Sequence, residues 1–169
     1  MTDLVQLDPV GSHEGLLERL CLHETKTPGL PGYVAADSLK AMWFIRQFMA
    51  NRIRYPLVFG NKAGITEAEL MKEKDQFPGF ETYPALTAAA MKNVTDCINL
   101  ANDPKGWRHP LFLAHVQNAL TVARASAVPA DQIVPGAAGW KKEGTPSPGA
   151  KYVFWRNLQG NDYYTTPLT

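Results

Sequence analysis

From Ser12 to Glu24 the apolar positions recur at helical spacing. Leu17, Leu20, Cys21 and Glu24 fall at i, i+3, i+4 and i+7, one stripe of a helix, while Glu14 and Glu18 fall off it and read as solvated. Ser12 supplies an N-cap, and residues 1–11 before it read as an N-terminal arm. Thr27-Pro28-Gly29-Leu30-Pro31-Gly32 cannot continue a helix and reads as a loop leading away from Glu24. Asp37 then caps a second helix to about Ile53. Leu39, Met42, Trp43, Phe44, Ile45, Phe48, Met49 and Ile53 leave it almost no polar face, so it is the buried hub of the fold. Tyr55 to Gly64 is a connector. Thr66-Glu67-Ala68-Glu69 is a capping box opening a short helix to about Lys74. The loop from Asp75 to Pro84 mixes Phe77, Phe80 and Tyr83 with polar side chains. It suits either the lining of a ligand site or a plug on the core. Pro84 fits position N1 of a helix to about Ala101, striped by Leu86, Ala90, Val94, Cys97 and Ala101. Pro110 opens a further helix with Phe112, Val116, Ala119, Leu120 and Ala123 inward and His115 beside them, where a structural histidine is the plainer reading.

Beyond Pro129 the periodicity fades into Gly, Pro and Ala, with Trp140 among them. Lys151 to Trp155 is strand-like, and Gly160-Asn161 is a turn signal ahead of Tyr163-Tyr164, which together suggest a small hairpin. The pattern therefore predicts a mainly α single domain over 12–169, with five principal helices and an irregular or hairpin C-terminal segment. A chain of 169 residues, 45% hydrophobic and 20% charged, is long enough for a real core. Lys and Arg number 17 against 16 Asp and Glu, so no basic excess points to nucleic acid. Met1 to Val10 has neither a basic run nor an apolar core, so no signal peptide is expected. No run approaches the roughly 18 apolar residues of a membrane span. Two cysteines, Cys21 and Cys97, are too few for a disulfide scaffold or a cysteine-only zinc site, and the chemistry invoked below calls for no metal or cofactor.

The chemically informative position is Glu24. A carboxyl held along an apolar stripe at the negative end of a helix has its charged form disfavoured twice, by the apolar walls and by the helix dipole. Such a group stays protonated near neutral pH and serves as a general acid. A helix that frays after Leu22 would instead leave Glu24 in solvent. The ordered set His23-Glu24, Asn51-Arg52-Ile53, Gln76-Phe77 and Gly160-Asn161-Asp162-Tyr163-Tyr164 resembles the SleB-type cell-wall hydrolases. Their pattern is a catalytic Glu, an Asn-Arg-Val ending the next helix, a Gln-Phe loop and a terminal Gly-x-x-Phe-Tyr. Tyr83-Pro84 after Gln76-Phe77-Pro78-Gly79-Phe80, with the absence of an export signal, is more narrowly similar to type VI secretion glycoside hydrolase effectors. The interval from Glu24 to Asn51 is longer than in the SleB type, Ile53 stands for the Val, and Tyr163 stands for the Phe.

The resemblance, which spans about residues 16 to 166, implies a lysozyme-like fold of the goose type and cleavage of the peptidoglycan glycan backbone, muramidase or glucosaminidase in type. Glu24 would be its catalytic acid. It further implies synthesis in the cytoplasm, delivery by a type VI secretion apparatus into the periplasm of target cells, an antibacterial role, and a cognate periplasmic immunity protein. No partner role for nucleic acid and no membrane insertion are expected. Glycosidic cleavage needs a proton on the leaving oxygen and support for an oxocarbenium-like centre. Asp37, Asp75, Glu81 and Asp162 are candidates for a second carboxylate. Gln76, Tyr83, Trp140 and Tyr163 suit substrate binding, because sugars offer apolar C–H faces to aromatic rings and polar rims to hydrogen bonds. Two other classes compete. One is a cysteine amidase or peptidase on peptidoglycan peptides, with Cys21 or Cys97 as nucleophile and His115 as base, although both cysteines fall on apolar stripes. The other is a non-enzymatic structural protein of a secretion or phage particle.

Overall fold

A computed structural model describes residues 4–169. Helix α1 spans His13–Glu24. Ser12 caps it by accepting the Gly15 N–H at 3.0 Å, and Thr25 ends it in an extended conformation, its hydroxyl donating to the Cys21 carbonyl at 2.7 Å. The helix thus keeps its last turn as far as Glu24. Residues 4–11 lie against the helices: the Asn102 side chain exchanges hydrogen bonds with the Val5 backbone, and Arg19 donates to the Asp8 carbonyl.

Glu18 corrects the expectation of a solvated residue. It is fully buried, accepts the Asp8 N–H at 2.7 Å and pairs with Arg124 at 3.0 Å. The arm supplies the cover that the helical pattern alone did not reveal.

Helix α2, Ala35–Arg54, begins earlier than expected. Its N-cap position is Val34, and Asp37 lies in the first turn, where a carboxylate suits the helix dipole without capping. Met42, Phe44, Ile45 and Met49 are all but inaccessible, as its apolar circumference predicts. The capping box at Thr66 and Glu69 forms, with both reciprocal bonds present, but its helix α3 stops at Met71. Helix α4, Ala88–Ala101, starts at a Thr87 N-cap instead of at Pro84. Residues 80–85 are taken up by successive turns, in which the Phe80 carbonyl accepts from Tyr83 and that of Thr82 from Ala85, and the Tyr83–Pro84 bond is cis. Helix α5, His109–Arg124, carries Pro110 in its first turn. Among the described residues no helix is long and apolar enough to cross a membrane.

The C-terminal third is more regular than its composition suggests. Strands β1 (Ala137–Lys142), β2 (Val153–Leu158) and β3 (Asn161–Thr165) form an antiparallel sheet in the order β1-β3-β2. The β2–β3 hairpin turns on Gln159 and Gly160, one residue earlier than expected, and both have positive φ, 55° and 88°. That conformation matches the right-handed twist of the flanking strands. Strand β1 replaces the irregular segment expected around Trp140. Gly136 leads into it at φ 71°, where a Cβ would stand 2.2 Å from the Thr166 carbonyl oxygen, so only glycine fits.

The sheet packs on α2 through aromatic rings. Phe44 meets Tyr163 edge-on at 4.8 Å and stacks with Trp155 at 5.4 Å, and Phe48 meets Trp140 at 5.1 Å. The Asn51 side chain donates to the Ala137 carbonyl at 3.0 Å, tying the end of α2 to the start of β1. Among the described residues the architecture is therefore five α-helices with a small three-stranded antiparallel sheet, and the two groups meet along α2.

Candidate active site

A cleft of about 480 Å³ opens between the end of α1, the C-terminal half of α2, the loop 75–78 and strand β1. Glu24 lines it together with Phe48, Arg52, Gln76 and Trp140. Burial pushes the Glu24 carboxyl up to about 7, and the hydrogen bond donated by the Trp140 indole N–H pulls the other way. Among the described residues no cation pairs with Glu24. A carboxyl in this state exchanges a proton near neutral pH while remaining open to a ligand.

Trp140 is half-buried in the cleft wall. Its ring meets Phe48 and stacks with Tyr163 at 6.0 Å. Tyr163 lies beneath the cleft, 1% exposed, with its hydroxyl pushed far up by burial and by the neighbouring Glu24. It supports Trp140 from below and does not form part of the cleft surface, so the expected substrate contact becomes a packing role. Gln76 is exposed and lines the cleft from the 75–78 loop, as a contact residue must.

Tyr83 is misplaced for the role expected of it. It is buried away from the cleft, and its hydroxyl donates to the Val10 carbonyl, tying the 75–84 loop to the N-terminal arm. The loop divides its labour: its first residues face the cleft, and its last ones plug the core with Phe80 and Tyr83 stacked at 6.5 Å.

Of the four candidate second carboxylates, only Asp75 lines the cleft. It holds φ 60°, a left-handed conformation that Asp tolerates better than most side chains. Glu81 is exposed and held below the usual carboxylate range by backbone hydrogen bonds, one of them from the Gly79 N–H. Asp162 accepts from the Asn157 side chain at 2.8 Å, and Asp37 remains at the start of α2.

Two residues at the candidate site were not singled out from the sequence. His23, quoted only as part of a motif, fastens the cleft loop to α1. The tautomer with its proton on Nε2 donates to the Pro78 carbonyl at 3.0 Å and accepts the Asn93 amide on Nδ1 at 3.3 Å. Burial keeps its pKa below the ordinary value, which favours this neutral form. Arg52, quoted only within the Asn51-Arg52-Ile53 motif, lines the cleft between two aromatic rings. The i, i+4 spacing of Phe48 and Arg52 is the signal that could have found it.

The residues of the cysteine alternative lie in the core. Cys21 and Cys97 are buried free thiols, each held protonated by burial, Cys97 up to about 12. His115 is fully buried and pushed down to about 4 by burial, with Tyr33 and Ser38 at its Nδ1. Among the described residues no three His, Cys, Asp or Glu side chains gather as a metal-binding set. Searches of family models, of curated proteins and of solved structures return no match to this chain.

Proposed function

We propose that this chain is a lysozyme-like glycoside hydrolase that cuts the peptidoglycan glycan backbone, with Glu24 as its general acid. One observation carries the reading. Glu24 is a carboxyl pushed up to about 7 that faces an open cleft without a neutralising cation. A sugar chain laid in that cleft offers its glycosidic oxygen to the Glu24 proton while a pyranose face packs on Trp140 and its rim meets Gln76. Proton transfer lets the leaving sugar depart as an alcohol. The oxocarbenium-like centre left behind is then captured by water or by the substrate's own N-acetyl oxygen. Asp75, the one candidate second carboxylate that lines this cleft, is assigned the task of orienting such a water.

The reading extends to delivery by a type VI apparatus into a neighbouring cell's periplasm and to a cognate immunity protein that blocks the cleft. Its test is mass spectrometry of sacculi digested with the parent and with Glu24→Gln. New reducing sugars or anhydro sugars that vanish in the variant are expected. Free amino groups, or no product from folded protein, would refute it. In cells, expression with a periplasmic signal should cause lysis that Glu24→Gln abolishes, and expression in the cytoplasm should be harmless.

A further inference from the structure

The cleft contains a charge that general acid catalysis does not use. Arg52 is 8% exposed, and its guanidinium lies 4.7 Å from the centre of the Phe48 ring and 5.1 Å from that of Phe59. Its Nε is buried with no hydrogen-bond partner, and the side chain forms no ion pair with any described residue. After burial, Tyr152 and then Glu73 act on it, both only through space. A buried cation with donors left open is costly unless something completes it, and two aromatic faces offset part of that cost without supplying an acceptor. The planar fork of a guanidinium matches a carboxylate through two parallel hydrogen bonds. Lys141 and Lys142, exposed on β1, line the same cleft and add to its positive side.

We infer that Arg52 is the anion-recognition residue of the cleft and that the ligand is a glycan bearing carboxylates, one of which completes the open guanidinium. Resting on the proposed glycan-cleaving function, this narrows the substrate to strands whose acidic sugar is seated beside Arg52 while a neighbouring bond is presented to Glu24. Asp75, on the same cleft, disfavours an anion placed against it, which gives the bound strand a direction.

The inference is tested by binding, with Glu24→Gln as the non-cleaving parent. Four tetrasaccharides are titrated by calorimetry: alternating N-acetylglucosamine and N-acetylmuramic acid with its lactyl carboxylates free, the same strand with those carboxylates converted to amides, chitotetraose, and an alternating N-acetylglucosamine and glucuronate strand. The free acid should bind about 10- to 100-fold more tightly than its amide and than chitotetraose. Adding Arg52→Gln should remove that preference and leave the neutral strands unchanged. Arg52→Lys should restore only part of it, since a point charge lacks the fork. Melting curves of each variant accompany the titrations, and because the ratio of acid to amide is read within one protein, a partial loss of stability does not alter it. Equal binding of acid and amide, an Arg52→Gln effect equal on both, or no binding of any strand would overturn the inference. Cleavage of sacculi by the parent with no acid preference would overturn it while leaving the proposed function intact. Arg52-dependent binding of the glucuronate strand, with neither binding nor cleavage of the muramic one, would uphold the anion site and reject peptidoglycan.

Discussion

Replacing Glu24 by Gln should make the protein more stable, and by an amount that depends on pH. In the folded protein burial pushes this carboxyl from an ordinary 4.5 to about 7. The folded state therefore holds a proton that the unfolded chain has already released. A group whose folded pKa is raised contributes stability that is fully present below about 4.5 and is lost as pH rises through about 7. A difference of about 2.5 pH units, at about 1.4 kcal/mol per unit, amounts to about 3 kcal/mol of destabilisation at pH 9. Gln fills the same space and still accepts the Trp140 indole N–H but never ionises. At pH 4 the variant and the parent should melt together. By pH 9 the variant should melt roughly 6–12 °C higher, at about 2–4 °C per kcal/mol for a domain of this size.

The assay is a set of thermal melts of both proteins from pH 4 to 9, read as the difference in Tm at each pH. Subtraction cancels Glu18, which is also raised to about 7 and titrates in both proteins. Activity should move in the opposite direction, because the acid must be protonated to act. kcat/KM of the parent should fall about tenfold per pH unit above about 7, and the variant should be inactive throughout. A Tm difference that is flat across the range would show that Glu24 is not strained by burial, and would remove the physical basis for its role as an acid.

Trp140→Phe removes the one donor that favours the Glu24 carboxylate, so the alkaline limb of the pH–rate profile should move to higher pH, as initial rates measured from pH 5 to 9 would reveal. Tyr83→Phe deletes the bond to the Val10 carbonyl and should lower stability by about 1 kcal/mol in denaturant titrations, with cleavage per folded molecule unchanged. Arg124→Ala leaves Asp8 and buried Glu18 without their shared cation. Because Arg124 is itself half exposed, the loss should be about 1–2 kcal/mol at pH 8 and smaller at pH 5, where Glu18 is protonated, as denaturant titrations at the two pH values would show.

The helices were legible wherever the pattern itself caused the structure. The apolar circumference of α2 means burial wherever it is placed, and the capping box at Thr66 is satisfied by residues three apart. Glu24 was legible for the same reason, since its position is set by the stripe of the helix that carries it. What escaped depends on segments distant in sequence. Strand β1 has too many small residues to declare itself, and it is a strand because β3 supplies its hydrogen bonds and Gly136 admits the close approach of Thr166. Glu18 seemed solvated until the arm folded over it. Tyr83 and Gln76 share one loop of mixed character, and only the arm decides that Tyr83 turns inward while Gln76 faces the cleft.

Helix α1 carries two glutamates whose carboxyls burial lifts to the same value, about 7, yet only one is a candidate acid. Glu18 is enclosed, receives the Asp8 N–H and shares Arg124 with the Asp8 carboxylate, so no substrate can reach its proton. Glu24 meets the neutral Trp140 donor and an open cleft, with no cation among the described residues. A raised pKa thus marks burial at both positions and becomes chemistry only where a substrate can reach it. The first site also serves the second. By locking the arm against the N-terminal part of α1, the Glu18 cluster fixes that end of the helix. Thr25 fixes the other end, and His23 secures the 75–78 loop of the cleft to the last turn. The acid is therefore held in place before any ligand arrives, which a proton transfer of fixed geometry requires.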